Sequence, residues 1–485
     1  MENSIWRKKP MAAYEADMKK SELKRVLTKW GLTSLGIGAI IGGGIFTLTG
    51  IAAHDHAGPA LAVAFIIAAV GCTFASLCYA EFSSILPVEG SAYAYSYGTV
   101  GEIFAWLIGW NLILEYMMGA TTVAVSWSGY FNKLVHLFGI NLPVELMNDP
   151  FTAAEKLGIE GYTPAFNLGA FVITWLVTSV LVKGIQESSK ANNVIVIIKL
   201  SVVLFVIFVG VFYINTDNWH PFIPKVVVDA KGVEHFGWAG VRTAATIVFF
   251  AYIGFDAVST QAGEAINPRK DIPFAIITSL IVCTVLYILV SLVLTGMVKY
   301  DTLDMQAPVA SAFSDAGLPW AVFIITIAAV AGLTSVMLVM MLGQTRIFLG
   351  MAKDGLLPNF FKTIHPNFKT PWKSTLLVGL IVSLVAAVTP IDKVSEMCSM
   401  GTLLAFAMIS GAVLLLRYQQ PNIDRPYKAP LIWFVAPMGV LFNIGLMTQT
   451  RHDTKIAFVI WSTLGIIVYF LYSRSRSNLN NYKEE

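Results

Sequence analysis

The chain has 485 residues, of which 56% are hydrophobic and only 13% are charged. In soluble proteins about a quarter of the residues are charged, so this composition excludes an ordinary soluble domain. The formal net charge of +3 does not indicate a nucleic-acid partner, because the basic residues follow particular loops rather than one face. Most of the chain is therefore expected to lie in a lipid bilayer.

Runs of 18 or more mostly uncharged residues recur along the chain, and each predicts a transmembrane helix. We place about twelve spans, at 30–52, 59–85, 102–131, 168–186, 191–214, 239–263, 272–298, 319–346, 374–389, 394–417, 429–449 and 455–473. The predicted fold class is an all-α membrane protein. The first ten spans, residues 30–417, form the predicted core, and 429–473 supply two additional transmembrane helices.

Basic residues are concentrated on one side of the predicted spans, beginning with eight lysines and arginines in the first 29 residues. The positive-inside rule places that side in the cytoplasm, together with segments 1–29 and 474–485. Both termini on one side require an even number of spans. We expect a multi-pass protein of the cell (plasma) membrane.

Motifs for catalysis, metal binding or disulfide linkage are missing from the sequence. Cys72, Cys78, Cys283 and Cys398 all lie in predicted spans, so a disulfide-linked partner subunit is not expected. The short external sequence at 54–56, His-Asp-His, supplies too few ligands for a metal site. No P-loop, nucleophile elbow or zinc-binding HExxH helix occurs. We expect no enzyme, no metal and no cofactor.

Two apolar spans are interrupted in the middle. Gly42, Gly43 and Gly44 interrupt the first span, and Gly254 and Asp256 interrupt the sixth. Glycine costs roughly 1 kcal/mol in a helix interior, so these sequences favour local unwinding. Unwound backbone at membrane depth is tolerated only where it lines a cavity or is buried in protein. Two interrupted segments in corresponding halves indicate a transporter's substrate site and suggest an inverted repeat.

A broken helix frees N–H groups on one side of the break and carbonyl groups on the other. The amides suit a carboxylate and the carbonyls suit an ammonium group, so the pair matches an α-amino acid. The predicted carboxylate ligands are the N–H groups of Gly43, Gly44 and Ile45. The predicted amine ligands are the carbonyls of Ile40, Phe250, Ala251 and Ile253. The alternative for the glycines is close helix packing.

Several side chains near the breaks have two interpretations that the sequence leaves open. Phe250 and Tyr252 either gate the substrate or fill the core. Asp256 either caps freed amides or contacts substrate. Met337 and Met340 of the eighth span either line a small apolar pocket or pack against lipid or core.

Ionisable residues inside spans mark functional sites by default. Lys199 lies in the fifth span, and burial disfavours the charged form of an amine, so it suits a proton-coupling role. The alternative is a structural cation bonded to carbonyls. Glu115 in the third span is either a proton-relay carboxylate or a structural residue. Glu81, near the end of the second span, is expected at the membrane interface.

Several motifs resemble the amino acid–polyamine–organocation (APC) superfamily. They are GAIIGGGIF at 38–46, PVEGSAYAY at 87–95, GE at 101–102 and GW at 109–110. FFAYIGFD at 249–256, followed by GEAINPRKDIP at 263–273, resembles its cationic amino acid transporter branch.

The resemblance implies the LeuT-type fold, with two inverted five-helix repeats and two more helices. It also implies that Lys199 replaces a sodium ion, contacting carbonyls near Ile41 and the hydroxyl of Ser335. In the family pattern the middle glycine is often Thr, Ser or Ala. With Gly43 there, the carboxylate is expected to depend on backbone amides alone.

The sequence therefore predicts a proton-coupled transporter that imports L-amino acids by alternating access. The eighth span lacks an acidic residue that would bind a cationic side chain. Small neutral amino acids such as alanine are accordingly the expected substrates. The alternatives are an exchanger of amino acids or polyamines, a cationic amino acid transporter, or a receptor that binds an amino acid without moving it.

Overall fold

The computed structural model of the protein describes residues 6–10, 25–86, 91–184, 189–228, 234–262 and 264–481. Much of the predicted N-terminal segment, the first four residues of the motif at 87–95, Gly263, and residues 482–485 of the predicted tail lie outside the described residues.

Helices dominate the described part of the chain. The α-helices of four or more residues are α1 (Lys29–Ile40), α2 (Leu61–Ile85), α3 (Ser91–Thr99), α4 (Glu102–Leu137), α5 (Val144–Met147), α6 (Pro150–Leu157), α7 (Leu168–Lys183), α8 (Ser189–Gly210), α9 (Gly237–Phe249), α10 (Pro268–Met297), α11 (Pro308–Asp315), α12 (Pro319–Lys353), α13 (Trp372–Val388), α14 (Ile391–Gln419), α15 (Ile432–Met447) and α16 (His452–Val468). Two short strands, β1 (Val227–Val228) and β2 (Glu234–His235), pair antiparallel with Val227 opposite His235.

Irregular helical turns fill the two interrupted regions. After α1 the chain forms π-helical turns at Gly44–Leu48 and Ala52–Ala57, with one α-helical turn at Thr49–Ile51 between them. After α9 it forms 3₁₀ turns at Phe250–Tyr252 and Asp256–Gln261. The His-Asp-His sequence at 54–56 thus lies in a helical turn rather than in the predicted solvated loop. The chain reverses just beyond it, at Gly58, whose positive φ of 57° suits glycine.

In the described residues, eight helical stretches are long and apolar enough to cross a membrane, and α7, α13 and α15 are shorter apolar helices. The prediction of an all-α membrane protein is confirmed. The first two predicted spans belong to one helical stretch, Lys29–Ile85, because helical turns replace the expected loop. The short helices α3, α5, α6 and α11 were not predicted, since each has fewer than ten residues and lacks a long apolar run.

Packing brings helices that are distant in sequence side by side. The two long helices α4 and α12 lie against each other, and α10 packs against both α1 and α2. α8 contacts α1, α10 and α12. The turn Gly44–Leu48 touches the turn Phe250–Tyr252, so the two interrupted regions meet inside the bundle.

Both described ends of the chain lie on one face of the bundle, which we call the terminal face. Glu102, at the start of α4, is fully buried there and pairs with Arg7 at 3.1 Å. Its two carboxylate oxygens also accept hydrogen bonds from Tyr97, Tyr469 and Ser477. One carboxylate thereby holds residues from the beginning, the middle and the end of the sequence.

Glu81 forms a second buried ion cluster on the same face. Arg417 donates two hydrogen bonds to its carboxylate, at 2.6 and 2.7 Å, and Arg425 lies 3.3 Å away. The backbone N–H of Ala429 donates a further bond of 2.8 Å. The chain after α14 folds over Glu81 and buries it completely, whereas its expected depth at the membrane interface stays a prediction.

Candidate functional site

The first break lies where the glycine triplet predicts it. α1 ends at Ile40, and Ile41 is extended, with φ −73° and ψ 103°. Helical structure resumes only at Gly44. All residues of this segment are buried, so the unwound backbone meets protein rather than lipid.

The second break follows the 3₁₀ turn Phe250–Tyr252. Ile253 is extended, with φ −62° and ψ 136°, and Gly254 has a φ of +118° that other residues rarely adopt. A Cβ on Gly254 would lie 2.9 Å from the backbone of Ala39. Glycine is therefore required both for the conformation and for the close approach to α1.

The three glycines of the first break face three different elements. A Cβ on Gly42 would lie 3.1 Å from Val336 of α12, and a Cβ on Gly43 would lie 3.0 Å from the hydroxyl of Ser126 in α4. A Cβ on Gly44 would overlap the backbone of Ala251. Close packing thus explains the triplet as well as unwinding does, and the two interpretations are compatible.

The breaks leave free amides at their centre. Among the described residues, the N–H groups of Gly43, Gly44 and Ile45 donate no hydrogen bond. Free N–H groups at the start of a helix form a ready anion site. These are the groups that the sequence assigns to the substrate carboxylate.

Tyr287 of α10 binds carbonyls from both breaks. Its hydroxyl lies 2.9 Å from the carbonyl oxygen of Ile40 and 3.0 Å from that of Ala251. The sequence analysis missed it, because a single tyrosine in an apolar helix has no pattern that separates it from core. Two of the four carbonyls predicted to bind an amine thus converge on one donor.

The other two predicted carbonyls differ in their surroundings. The oxygen of Phe250 accepts the N–H of Ile253 at 3.1 Å and closes the 3₁₀ turn. That bond occupies one of its lone pairs, whereas Ile253 is in the extended stretch of the break. Phe250 is therefore the weakest of the predicted amine ligands.

Lys199 is buried beside the first break. Its side-chain nitrogen donates a 2.8 Å hydrogen bond to the carbonyl of Gly38. The predicted partners were Ile41 and Ser335, and in the described part of the chain neither accepts a bond from it. The physical reason is that Gly38, in the last turn of α1, has lost the helical donor that Gly42 would have supplied. Gly332 of α12 lets the lysine stem pass, with a Cβ there 3.2 Å from its Cε.

Glu115 and Asp256 form a buried acidic pair between α4 and the second break. Both are 1% exposed, and the residue that follows Glu115 in α4 contacts Asp256. The hydroxyl of Tyr116 donates to Asp256 at 3.4 Å. One oxygen of each carboxylate, Oε2 of Glu115 and Oδ1 of Asp256, has no hydrogen-bond partner in the described structure.

The aromatic residues and methionines take up core positions. Tyr252 donates to the carbonyl of Phe65 at 3.0 Å and is fully buried, so it is fixed to α2. Phe250 is 5% exposed.

Met337 and Met340 are buried, which excludes a lipid-facing position for both. The sulfur of Met340 faces Gly119 of α4. The α12 side chains nearest the glycine triplet are Val336 and Leu333, which the sequence analysis did not select.

A family model described as amino acid permease matches residues 27–472. The chain belongs to the amino acid permease family. The resemblance to the APC superfamily is confirmed, and this permease is a membrane transporter rather than an enzyme.

Relatives of this permease carry different substrate names. It is 44% identical to the branched-chain amino acid permease BcaP of Bacillus subtilis, over 99% of this chain and all of that protein. It is 43% identical to the methylthioribose transporter of the same organism, again over 99% of this chain and all of that protein. It is 38% identical to the vacuolar cationic amino acid transporter 4 of Arabidopsis thaliana, over 83% of this chain and 64% of that protein.

Proposed function

We propose that this permease is a proton-coupled secondary transporter that imports small neutral L-amino acids by alternating access. The observation that carries the proposal is the meeting of two broken helices. Free amides of one break lie beside carbonyls of both breaks, and Tyr287 joins those carbonyls. A zwitterion needs both kinds of group within a few ångströms of each other.

Substrate binding replaces contacts that the broken helices make with the protein. The carboxylate accepts hydrogen bonds from the amides of Gly43, Gly44 and Ile45. The ammonium group donates to the carbonyls of Ile40 and Ala251, which Tyr287 otherwise binds. Because these groups belong to two separate segments, binding draws the segments together and favours an occluded conformation.

The surroundings of Lys199 support the proposed proton coupling. A protonated lysine has three donors, but the conformation described here gives its nitrogen one acceptor, Gly38. This arrangement suits the neutral amine, and protonation favours a conformation that offers further acceptors, such as Ile41 and Ser335. Gly38 precedes the break by a few residues, so the proton on Lys199 is linked to the geometry of the substrate site.

The topology that accompanies this function is the LeuT-type arrangement of two inverted five-helix repeats and two further helices. The chain would cross the plasma membrane twelve times, with the terminal face on the cytoplasmic side. The shared face of both chain ends supports an even number of crossings. Cysteine accessibility from each side of sealed cells, at single sites in loops, tests this topology.

Uptake by purified protein in proteoliposomes tests the function. We expect radiolabelled L-alanine to accumulate under an inward proton gradient in wild type and not in Lys199→Ala. Counterflow should persist in the variant, because substrate binding does not need the lysine side chain. Gradient-independent exchange in both proteins would instead identify an obligate exchanger. Binding without any flux would identify a receptor.

A cationic substrate is the first alternative, and one observation favours it. Glu115 and Asp256 present unpartnered carboxylate oxygens near the second break, and a cationic side chain could bind there. L-Arginine accumulation that exceeds that of alanine would overturn the neutral preference. Glu115→Gln would then be expected to abolish arginine uptake selectively.

A neutral thiosugar is the second alternative, because one relative of 43% identity is named a methylthioribose transporter. Such a molecule has neither a carboxylate nor an amine, so free amides and carbonyls would bind hydroxyl groups instead. Competition distinguishes the cases. Unlabelled alanine or leucine should displace bound radiolabelled alanine at concentrations at which methylthioribose does not. That result would support an amino acid as the substrate.

A further inference from the structure

Ser126 stands apart from the other hydroxyl groups of α4. Thr121 and Thr122 donate to carbonyls of their own helix at 2.8 and 2.9 Å, and Ser128 donates to Asn167 at 2.6 Å. The hydroxyl of Ser126 is buried and has no hydrogen-bond partner in the described structure. A buried unpaired hydroxyl costs about 1–3 kcal/mol, so its place in the helix requires an explanation.

The location of this hydroxyl supplies the explanation. Its oxygen lies 3.0 Å from the position that a Cβ on Gly43 would occupy, and its own Cβ lies 3.6 Å away. Gly43 is one of the residues of the first break whose amides donate no hydrogen bond in the described chain. An unused hydroxyl of α4 therefore lies against a residue of the first break that has an unused donor.

We propose that Ser126 is a substrate-binding residue whose hydroxyl donates a hydrogen bond to the substrate carboxylate. The inference rests on the proposed amino acid substrate and adds a side-chain ligand to a site otherwise made of backbone. It differs from the expectation that the carboxylate depends on backbone amides alone. Because Ser126 belongs to α4, a bound carboxylate also links that helix to the first break.

The test compares Ser126→Ala with wild type in counterflow of L-alanine. Loss of one hydrogen bond to a carboxylate should raise KM roughly tenfold. The maximal rate should change little, because the variant keeps the fold and the backbone ligands. L-Alaninamide, which lacks the carboxylate, should compete equally with both proteins.

Ser128→Ala is the matched control. It removes a buried serine hydroxyl two residues away in the same helix, but one that is bonded to Asn167. We expect it to lower thermal stability in detergent and to leave KM for alanine unchanged. A similar rise of KM in both variants would assign Ser126 a packing role and overturn the proposal.

A sharper test than Ser126→Ala alone moves the hydroxyl from residue 126 to residue 43, on the other side of the contact. Gly43→Ser alone brings a Cβ within 3.0 Å of the Ser126 oxygen, and this crowding should impair transport. In Gly43→Ser combined with Ser126→Ala the crowding oxygen is gone, and a hydroxyl again lies beside the amides. The double variant should recover most of the affinity that Ser126→Ala loses.

The two proposals fail in different ways. If wild type transports neither alanine nor leucine, the proposed amino acid substrate is wrong. If wild type transports alanine and Ser126→Ala has the same KM, only the role of Ser126 is wrong. A double variant no better than either single variant, while folded, also contradicts that role.

Discussion

The four most deeply buried carboxylates lie at two levels of this molecule, and their surroundings differ. Glu81 and Glu102 on the terminal face, and Glu115 and Asp256 beside the second break, are all at most 1% exposed. On the terminal face both oxygens of each carboxylate accept hydrogen bonds. Beside the break, one oxygen of each lacks a partner in the described structure.

We expect this difference to separate structural groups from functional ones. A buried polar atom without a partner is costly, and a fold built for stability alone would pair it. On the terminal face the carboxylate oxygens are paired, with arginines, hydroxyls and a backbone amide. In the central site, the proposed function gives the unpartnered carboxylate oxygens a proton or a substrate to bind. Variants on the terminal face should therefore lose stability, whereas variants beside the second break should lose uptake.

The largest effect is expected at Glu81. Glu81→Ala leaves the guanidinium of Arg425, whose side chain is 2% exposed, without its carboxylate. Removal of one partner from a buried ion pair typically costs about 3–5 kcal/mol. Thermal unfolding of the purified protein in detergent should show a large fall in stability.

The exposed pair of Arg269 and Asp424 is the control for Glu81. Their side chains are 56% and 81% exposed, so Asp424→Ala should change stability by less than about 0.5 kcal/mol. Equal stability of Glu81→Ala and Asp424→Ala would mean that the buried cluster does not stabilise the fold.

A matched pair of isosteric changes sharpens the comparison. Glu102→Gln weakens bonds to Arg7, Tyr469 and Ser477, and should cost about 2 kcal/mol of stability. Glu115→Gln changes a buried acid that has one unpartnered oxygen, so the stability of the fold should not change. Gradient-driven uptake should fall, because the amide cannot bind a proton as the carboxylate does. Parallel unfolding and uptake assays check both.

The opposite result for Glu102→Gln and Glu115→Gln would contradict the distinction between structural and functional carboxylates. If Glu115→Gln unfolds more readily than Glu102→Gln and retains coupled uptake, the unpartnered oxygens are not reserved for function.

A smaller effect is expected at Gly332. Gly332→Ala places a methyl group 3.2 Å from Cε of Lys199, so the flexible side chain must shift and its bond to Gly38 must weaken. Gradient-driven uptake should fall severalfold while counterflow persists. Gly350→Ala, in the same helix with no neighbouring atom within 4 Å of its Cβ position, should leave both unchanged. Identical behaviour of the two variants would argue against a positioning role for Gly332.

Much of the architecture could be predicted from the sequence, because apolar run length and glycine placement act locally. Both breaks lie where Gly42–Gly44 and Gly254 predict them, and Lys199 is buried beside the first one. The family follows from the same motifs. Domain boundaries and the roles of individual site residues stay predictions.

Helix rotation and long-range pairing could not be predicted. α12 is apolar on every side, so nothing in its pattern shows that Val336 rather than Met337 faces the glycines. Tyr287 and Ser126 are ordinary residues of apolar helices until their neighbours are known. The carbonyl that accepts the hydrogen bond of Lys199 depends on where α1 ends. A shift of the helix end by one turn would expose a different carbonyl.

The contacts of Glu102 also impose an order on biosynthesis. Tyr469 and Ser477 follow it by 367 and 375 residues, so the ribosome makes these partners long after the carboxylate has entered the membrane. Arg7 and Tyr97 are made before it. The N-terminal arginine can therefore act as the counter-ion of the growing protein, and the hydroxyls complete the site when the last helix arrives.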